Sequence, residues 1–221
     1  MPTRKTPFIN GEFYHIYNKT IDEKRVFYDK YNSKEFYDRL HYYKSTKSTV
    51  SFSHLRGLKK ESLKALNKEI LHKQNYKVQV LAYTLMPTHY HILVQQVVDK
   101  GVPDFISKST NSFTRYFNLK NKRKGQVFLK DFGATHIESE EQLIHTSRYI
   151  HLNMYSSGLV KNINDIITYP WSSFRAYILG ETNALVDADY ILNIFDNNRE
   201  RYAKFVYDNA LYQKELEKYK Y

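Results

Sequence analysis

Apolar positions along the chain fall into runs of two different periods, and the order of those runs outlines a fold. Phe13-Tyr14-His15-Ile16-Tyr17-Asn18-Lys19 is rich in aromatics and ends at polar turn residues, which predicts a first strand. From Ser33 to Tyr43 the apolar positions Phe36, Tyr37, Leu40 and Tyr43 recur at helical spacing. Residues 44–75 begin with the polar, basic run Lys44-Ser45-Thr46-Lys47-Ser48-Thr49. They continue as a Lys-rich segment carrying Leu58, Leu63, Leu66, Ile70 and Leu71, so a helical insertion is expected there. Tyr76 to Met86 reads as a long strand with alternating Val78, Val80 and Ala82. Pro87-Thr88 then makes a tight turn into a hairpin partner, His89–Gln96.

Pro103 sits where a helix would start, and Phe105, Ile106, Phe113, Tyr116 and Phe117 give that helix an apolar stripe up to Leu119. Gly125 ends the segment, and Val127 to Ile137, broken at Gly133, reads as a fourth strand. Ser139-Glu140-Glu141-Gln142 has the form of a capping box, with Gln142 expected to reach back to the Ser139 backbone. A helix through Leu143, Ile144, Arg148, Tyr149 and Leu152 follows, stopping before Ser156-Ser157-Gly158. This order predicts an α+β fold: a ferredoxin-like split β-α-β-β-α-β core with an antiparallel sheet, covered by helices on one face and open on the other. The expected division is a domain over residues 1–180, with its insertion at about 44–75, and a C-terminal helical extension over 181–221. Within the extension, residues 199–218 read as one exposed helix packed by Phe205, Val206 and Leu211.

Composition narrows the class. In 221 residues the apolar share is 42%, ordinary for a folded chain, but 34 Lys+Arg against 23 Asp+Glu gives a net charge of +11. With 21 Tyr and 13 Phe, that balance suits a polyanion whose bases can stack, and single-stranded nucleic acid satisfies both terms. The absence of cysteine excludes disulfides, thiolate metal sites and a cysteine nucleophile. The leader Met1-Pro2-Thr3-Arg4-Lys5-Thr6-Pro7 lacks the apolar stretch of a signal peptide, and no apolar run is long enough to span a membrane, so a soluble cytoplasmic protein is expected.

The candidate chemistry starts at His89 and His91. Alternation along a strand turns both imidazoles to one face and Tyr90, Ile92 and Val94 to the other. Two such histidines can hold one divalent ion and leave positions for other donors. Tyr149 and Asn153, four apart, share a helix face, with His145 one turn earlier. A divalent ion that polarises a phosphate would lower the demand on a phenol nucleophile, and Asn153 could offer that ion a carbonyl oxygen. Spacing by itself also allows packing roles, for His-X-His pairs and for one tyrosine among 21.

Met86-Pro87-Thr88-His89-Tyr90-His91-Ile92-Leu93 resembles the motif of the HUH single-tyrosine transposases of insertion sequences, and in particular the REP-associated tyrosine transposase branch. The resemblance extends, in order, to Tyr14–Lys19, to Phe113–Asn118 with the basic stretch ending at Gly125, and to Arg148-Tyr149-Ile150-His151-Leu152-Asn153 with Gly158-Leu159-Val160. It continues through Tyr169-Pro170-Trp171-Ser172-Ser173-Phe174, covering roughly residues 8–180. It implies that 1–180 is a transposase catalytic domain in which His89, His91 and Asn153 ligate Mg2+ or Mn2+ and Tyr149 is the catalytic nucleophile. The implied activity is cleavage and rejoining of single-stranded DNA at hairpin or palindromic sites through a 5′-phosphotyrosine. Met154, where a proline is usual, and Tyr155-Ser156-Ser157, in place of a more basic segment, depart from the family pattern. Tyr116 lies on the apolar stripe of its own helix and is assigned to packing. Lys19, Arg115, Lys120, Lys122, Arg123, Lys124 and Arg148 are candidates for DNA phosphate contacts. A structured-DNA-binding protein without turnover and a metal hydrolase unrelated to DNA are the rival readings. One nucleophilic tyrosine per chain, as the resemblance implies, suggests that paired cuts need two protomers, as in a homodimer, or two sequential events. Bound to DNA, the protein would be nucleoid-associated.

Overall fold

The computed structural model describes residues 7–217, so the leader up to Thr6 and the end of the tail, including Lys218, lie outside the described residues. Four strands, β1 (Phe13–Lys19), β2 (Val78–Met86), β3 (His89–Gln96) and β4 (Gly133–Ile137), form one sheet in the order β2-β3-β1-β4. Every pairing is antiparallel, so the ferredoxin-like core is borne out. The helices are α1 (Lys30–Tyr43), α2 (Lys60–Leu71), α3 (Gly101–Lys120), α4 (Glu140–Ser156), α5 (Phe174–Leu179), α6 (Asp189–Ile194), α7 (Arg199–Tyr207) and α8 (Ala210–Glu217).

The pleat sorts side chains into two cores. On one face Ile16, Tyr90, Ile92 and Val94 meet Phe36 and Leu40 of α1 and Phe105, Ile106 and Phe113 of α3. On the other, Leu93 and Ile137 meet Leu143, Ile150 and Leu152 of α4, with Tyr177 and Tyr202 behind them. That second face was expected to be open; α4 and the C-terminal helices cover much of it. The reason lies in apolar side chains on both faces of β2, which need cover on each side.

Some local expectations need correction. A bulge between Val80 and Ala82 shifts the alternation of β2, so Val78, Val80, Tyr83 and Leu85 face the first core while Leu81 and Ala82 face the second. Ala82 therefore does not continue the Val78–Val80 stripe. The fourth strand is only Gly133–Ile137; upstream, Phe128 makes a single bridge to Thr20. The α3 helix opens two residues before Pro103, at Gly101, where a Cβ would come within 2.3 Å of the Lys77 carbonyl oxygen. Ser139 Oγ caps α4 by accepting from the Gln142 N–H at 3.1 Å, but the Gln142 side chain reaches the Glu138 N–H at 2.8 Å rather than that of Ser139. Residues 199–217 form two helices, α7 and α8. Val206 and the wholly buried Tyr202 pack there, while Leu211 is 71% exposed. No helix among the described residues is long and apolar enough to cross a membrane.

The segment 169–177 closes the outer edge of β2. Trp171 O accepts from Leu85 N–H at 2.8 Å, and Ser173 N–H donates to Tyr83 O at 3.0 Å. The Tyr169 and Tyr177 hydroxyls donate to Leu85 O and Leu81 O at 2.6 and 2.7 Å. An edge that would otherwise expose a hydrogen-bonding backbone is thereby occupied.

Candidate active site

The β2–β3 hairpin delivers His89 and His91 to the face that α4 covers. Thr84 Oγ1 on β2 donates to Ile150 O at 2.7 Å, which fixes α4 over this face with Tyr149 and Asn153 turned toward the histidines. Between them lies a cleft of about 940 Å³, whose walls include His15, Lys19, His89, His91, Tyr149 and Asn153. The structure thus brings together the two histidines, the tyrosine and the amide that sequence spacing placed on separate elements, with His145 on the same wall.

The rings interlock. The His89 and His91 centroids are 5.1 Å apart at 90°, and the Tyr149 ring stands edge-on to His91 at 5.5 Å and 89°. Burial lowers the pKa of His89 to about 4, with the Lys19 charge acting in the same direction, so the ring is neutral at ordinary pH, as a metal ligand must be. The Asn153 side chain lies against that ring and favours its protonated form, as an accepting amide oxygen does. Asn153 is 2% exposed, and its Nδ2 has no hydrogen-bond partner among the described residues. Among those residues no three His, Asp or Glu side chains form a metal cluster. Two imidazoles and an amide oxygen fit a divalent ion that keeps positions open for phosphate and water.

Spacing did not single out two further residues of the cleft. His15 of β1 places Nε2 2.9 Å from His91 Nδ1, and its ring lies 5.8 Å from that of Tyr149. It sits in the quoted Tyr14–Lys19 run, but only β1–β3 pairing brings it beside His91. Glu217, at the end of α8, supplies a carboxylate to the same cleft. From α8, Gln213 Nε2 also donates to the Tyr149 carbonyl at 3.1 Å, so α8 touches the helix that carries the tyrosine.

The basic candidates are dispersed. Lys19 lines the cleft. Lys122 and Lys124 are exposed on the loop after α3, which adjoins β1 where Leu129 N–H donates to Lys19 O at 2.9 Å. Lys120 is ion-paired with Asp29 at 2.7 Å, and Arg123 bonds the Gln126 carbonyl at 2.9 Å. Arg115 is exposed in a separate groove that includes Arg56, Lys108 and Tyr116. Arg148 stacks on Phe205 of α7 at 4.3 Å and bonds His145 at 2.6 Å. Tyr116 packs against the first core, away from the cleft.

No curated protein matches this sequence. Among solved structures, the chain is similar to a REP-associated tyrosine transposase bound to a REP hairpin, with a TM-score of 0.55 at 15% identity, covering 85% of this chain and 94% of that one. At that identity the likeness concerns the fold. The profile of the IS200-like transposases matches residues 9–153, a span that includes β1, both histidines of the hairpin, Tyr149 and Asn153. With that span covering most of the chain, this protein belongs to the IS200-like transposase family.

Proposed function

We propose that this chain cuts and rejoins single-stranded DNA, at or beside a hairpin, with Tyr149 as nucleophile. The observation that carries the reading is the placement of Tyr149 edge-on to His91 at 5.5 Å, one helical turn from Asn153, over the His89–His91 pair. The Tyr149 phenol oxygen would bond to phosphorus while the P–O3′ bond breaks. The phenol's proton leaves through the cleft, and the departing 3′ oxygen ends as a hydroxyl. Attack by another 3′-hydroxyl on the 5′-phosphotyrosine would reverse the process and rejoin strands without loss of bond energy. His89, His91 and Asn153 would hold a Mg2+ or Mn2+ ion, which when bound supplies positive charge to the phosphate oxygens. Lys19 and the exposed Lys122 and Lys124 offer contacts for the strand leaving the cleft, with Arg123 behind them. Arg115, Lys120 and Arg148 are weaker candidates, since Arg115 lines a separate groove and the other two are engaged within the protein. The DNA-bound structural relative and the net charge of +11 support a hairpin substrate.

The test is incubation with Mn2+ and end-labelled hairpin DNA carrying single-stranded flanks. A covalent protein–DNA adduct is expected for the wild type and none for Tyr149→Phe. An adduct that persists in Tyr149→Phe, or maps to Tyr116, would overturn the assignment. Tight hairpin binding without any adduct would leave a binding protein.

A further inference from the structure

The two histidines of β3 are held from behind by different groups acting at the same ring atom. Thr88 Oγ1 lies 3.0 Å from His89 Nδ1, and His15 Nε2 lies 2.9 Å from His91 Nδ1. A neutral imidazole carries one N–H, and the nitrogen that ligates an ion must be the other one. With the proton held on Nδ1, Nε2 is the atom through which each ring would ligate. On the His91 side it is another imidazole, that of His15, which stands at this position. His91 is 8% exposed, so bulk water is poorly placed to satisfy its Nδ1, whereas His15 is half-buried in the cleft wall.

Strand pairing explains how they meet. In the β1–β3 register His15 stands opposite Leu93 and Tyr17 opposite His91, so His15 is the diagonal neighbour of His91. The two rings lie 5.1 Å apart at 26°, near enough to parallel that His15 also limits the tilt of its neighbour. Tyr149 contacts both rings, at 5.8 and 5.5 Å, so the orientation of this pair also sets where the phenol rests.

We propose that His15 is a positioning residue: it accepts the Nδ1–H of His91 and thereby fixes the tautomer and ring orientation that turn His91 Nε2 toward the ion beside Tyr149. The inference rests on the metal-site reading above and adds to it a role for a strand outside the His-X-His motif. Partners of this kind behind a ligating histidine typically change metal affinity by about 10–100-fold when removed.

Two measurements test it, one of which needs no metal. In the metal-free protein, long-range nitrogen–proton NMR reads the tautomer of His91. Wild type is expected to show Nδ1–H, His15→Leu a mixture with Nε2–H, and His15→Gln, whose side-chain oxygen can accept, a return toward Nδ1–H. In a Mn2+ titration followed by EPR, His15→Leu is expected to bind about 10–100-fold more weakly and His15→Gln within about threefold of wild type. A residue that only packs would lower thermal stability and leave the tautomer unchanged. An unchanged tautomer in His15→Leu, unchanged Mn2+ affinity in that variant, or three imidazole nitrogens coupled to bound Mn2+ would each overturn the proposal; the last would make His15 a ligand. Should wild type bind no Mn2+, or bind it as well after His89→Ala, the metal-site reading itself fails, and the tautomer measurement still decides the role of His15.

Discussion

Removing one buried hydroxyl, in Tyr202→Phe, tests how the C-terminal helices support the helix that carries Tyr149. Tyr202 on α7 is wholly buried, and its hydroxyl lies 2.7 Å from His151 Nδ1 and 3.0 Å from Ser147 Oγ, both on α4. Ser147 keeps a partner in the Ile144 carbonyl, 2.7 Å away, so its loss is small. His151 is also wholly buried and would retain only Ser173 Oγ, 2.7 Å from its Nε2, leaving Nδ1 with neither protein partner nor water. A buried polar atom stranded in this way costs about 1–3 kcal/mol. In a chain of this size that is a fall in Tm of about 2–12 °C, at about 2–4 °C per kcal/mol. Calorimetry of Tyr202→Phe beside Tyr212→Phe, whose ring is 60% exposed, isolates the effect. Adding Ser173→Ala completes a cycle around His151, and the two changes should be non-additive by about 0.5 kcal/mol or more because they share the imidazole. Equal Tm values for Tyr202→Phe and Tyr212→Phe would refute the reasoning, and strict additivity would show that His151 does not couple the two hydroxyls.

Further expectations follow from other parts of the molecule. Burial, with the charges of Lys44 and Lys34, lowers the pKa of His41 from 6.5 to about 4. The unfolded chain then binds more protons between those values, so up to about 3 kcal/mol of stability is present above pH 6.5 and lost as pH falls toward 4. The acid limb of a Tm-against-pH curve should be shallower for His41→Leu than for wild type, and parallel limbs would contradict this. A Cβ on Gly133 would fall 2.3 Å from the Tyr17 ring. Gly133→Ala should therefore cost about 1 kcal/mol and displace that ring, shifting the His91 resonances, 6.1 Å from it; an unmoved spectrum would count against the contact. Replacing Lys122 and Lys124 together by Ala should lower the slope of log affinity against log salt for single-stranded DNA by about 1.4, at about 0.7 per phosphate contact. Lys120→Ala, already ion-paired with Asp29, should change that slope less.

Local pattern was enough to determine most of the elements. Aromatic richness and terminal turn residues placed β1, and alternation after the Pro87-Thr88 turn placed β3, at their observed bounds, while the apolar stripe of Phe105, Phe113 and Phe117 placed the body of α3. Strand and helix periodicity put His89 with His91, and Tyr149 with Asn153, on common faces, because side-chain direction within one element is a local property. Other features were decided by contacts between elements. The bulge at Val80–Ala82 turns two consecutive residues, Leu81 and Ala82, to the second core, and no local signal marks where the alternation slips. The covering of the histidine face depends on α4 and α7 packing together through Tyr202 and His151, residues 51 apart in sequence. His15 illustrates the limit most clearly: its role depends on the β1–β3 register, which puts it diagonal to a histidine 76 residues away. Chain chemistry determined which groups could react; the antiparallel register and the seating of α4 decided which of them meet.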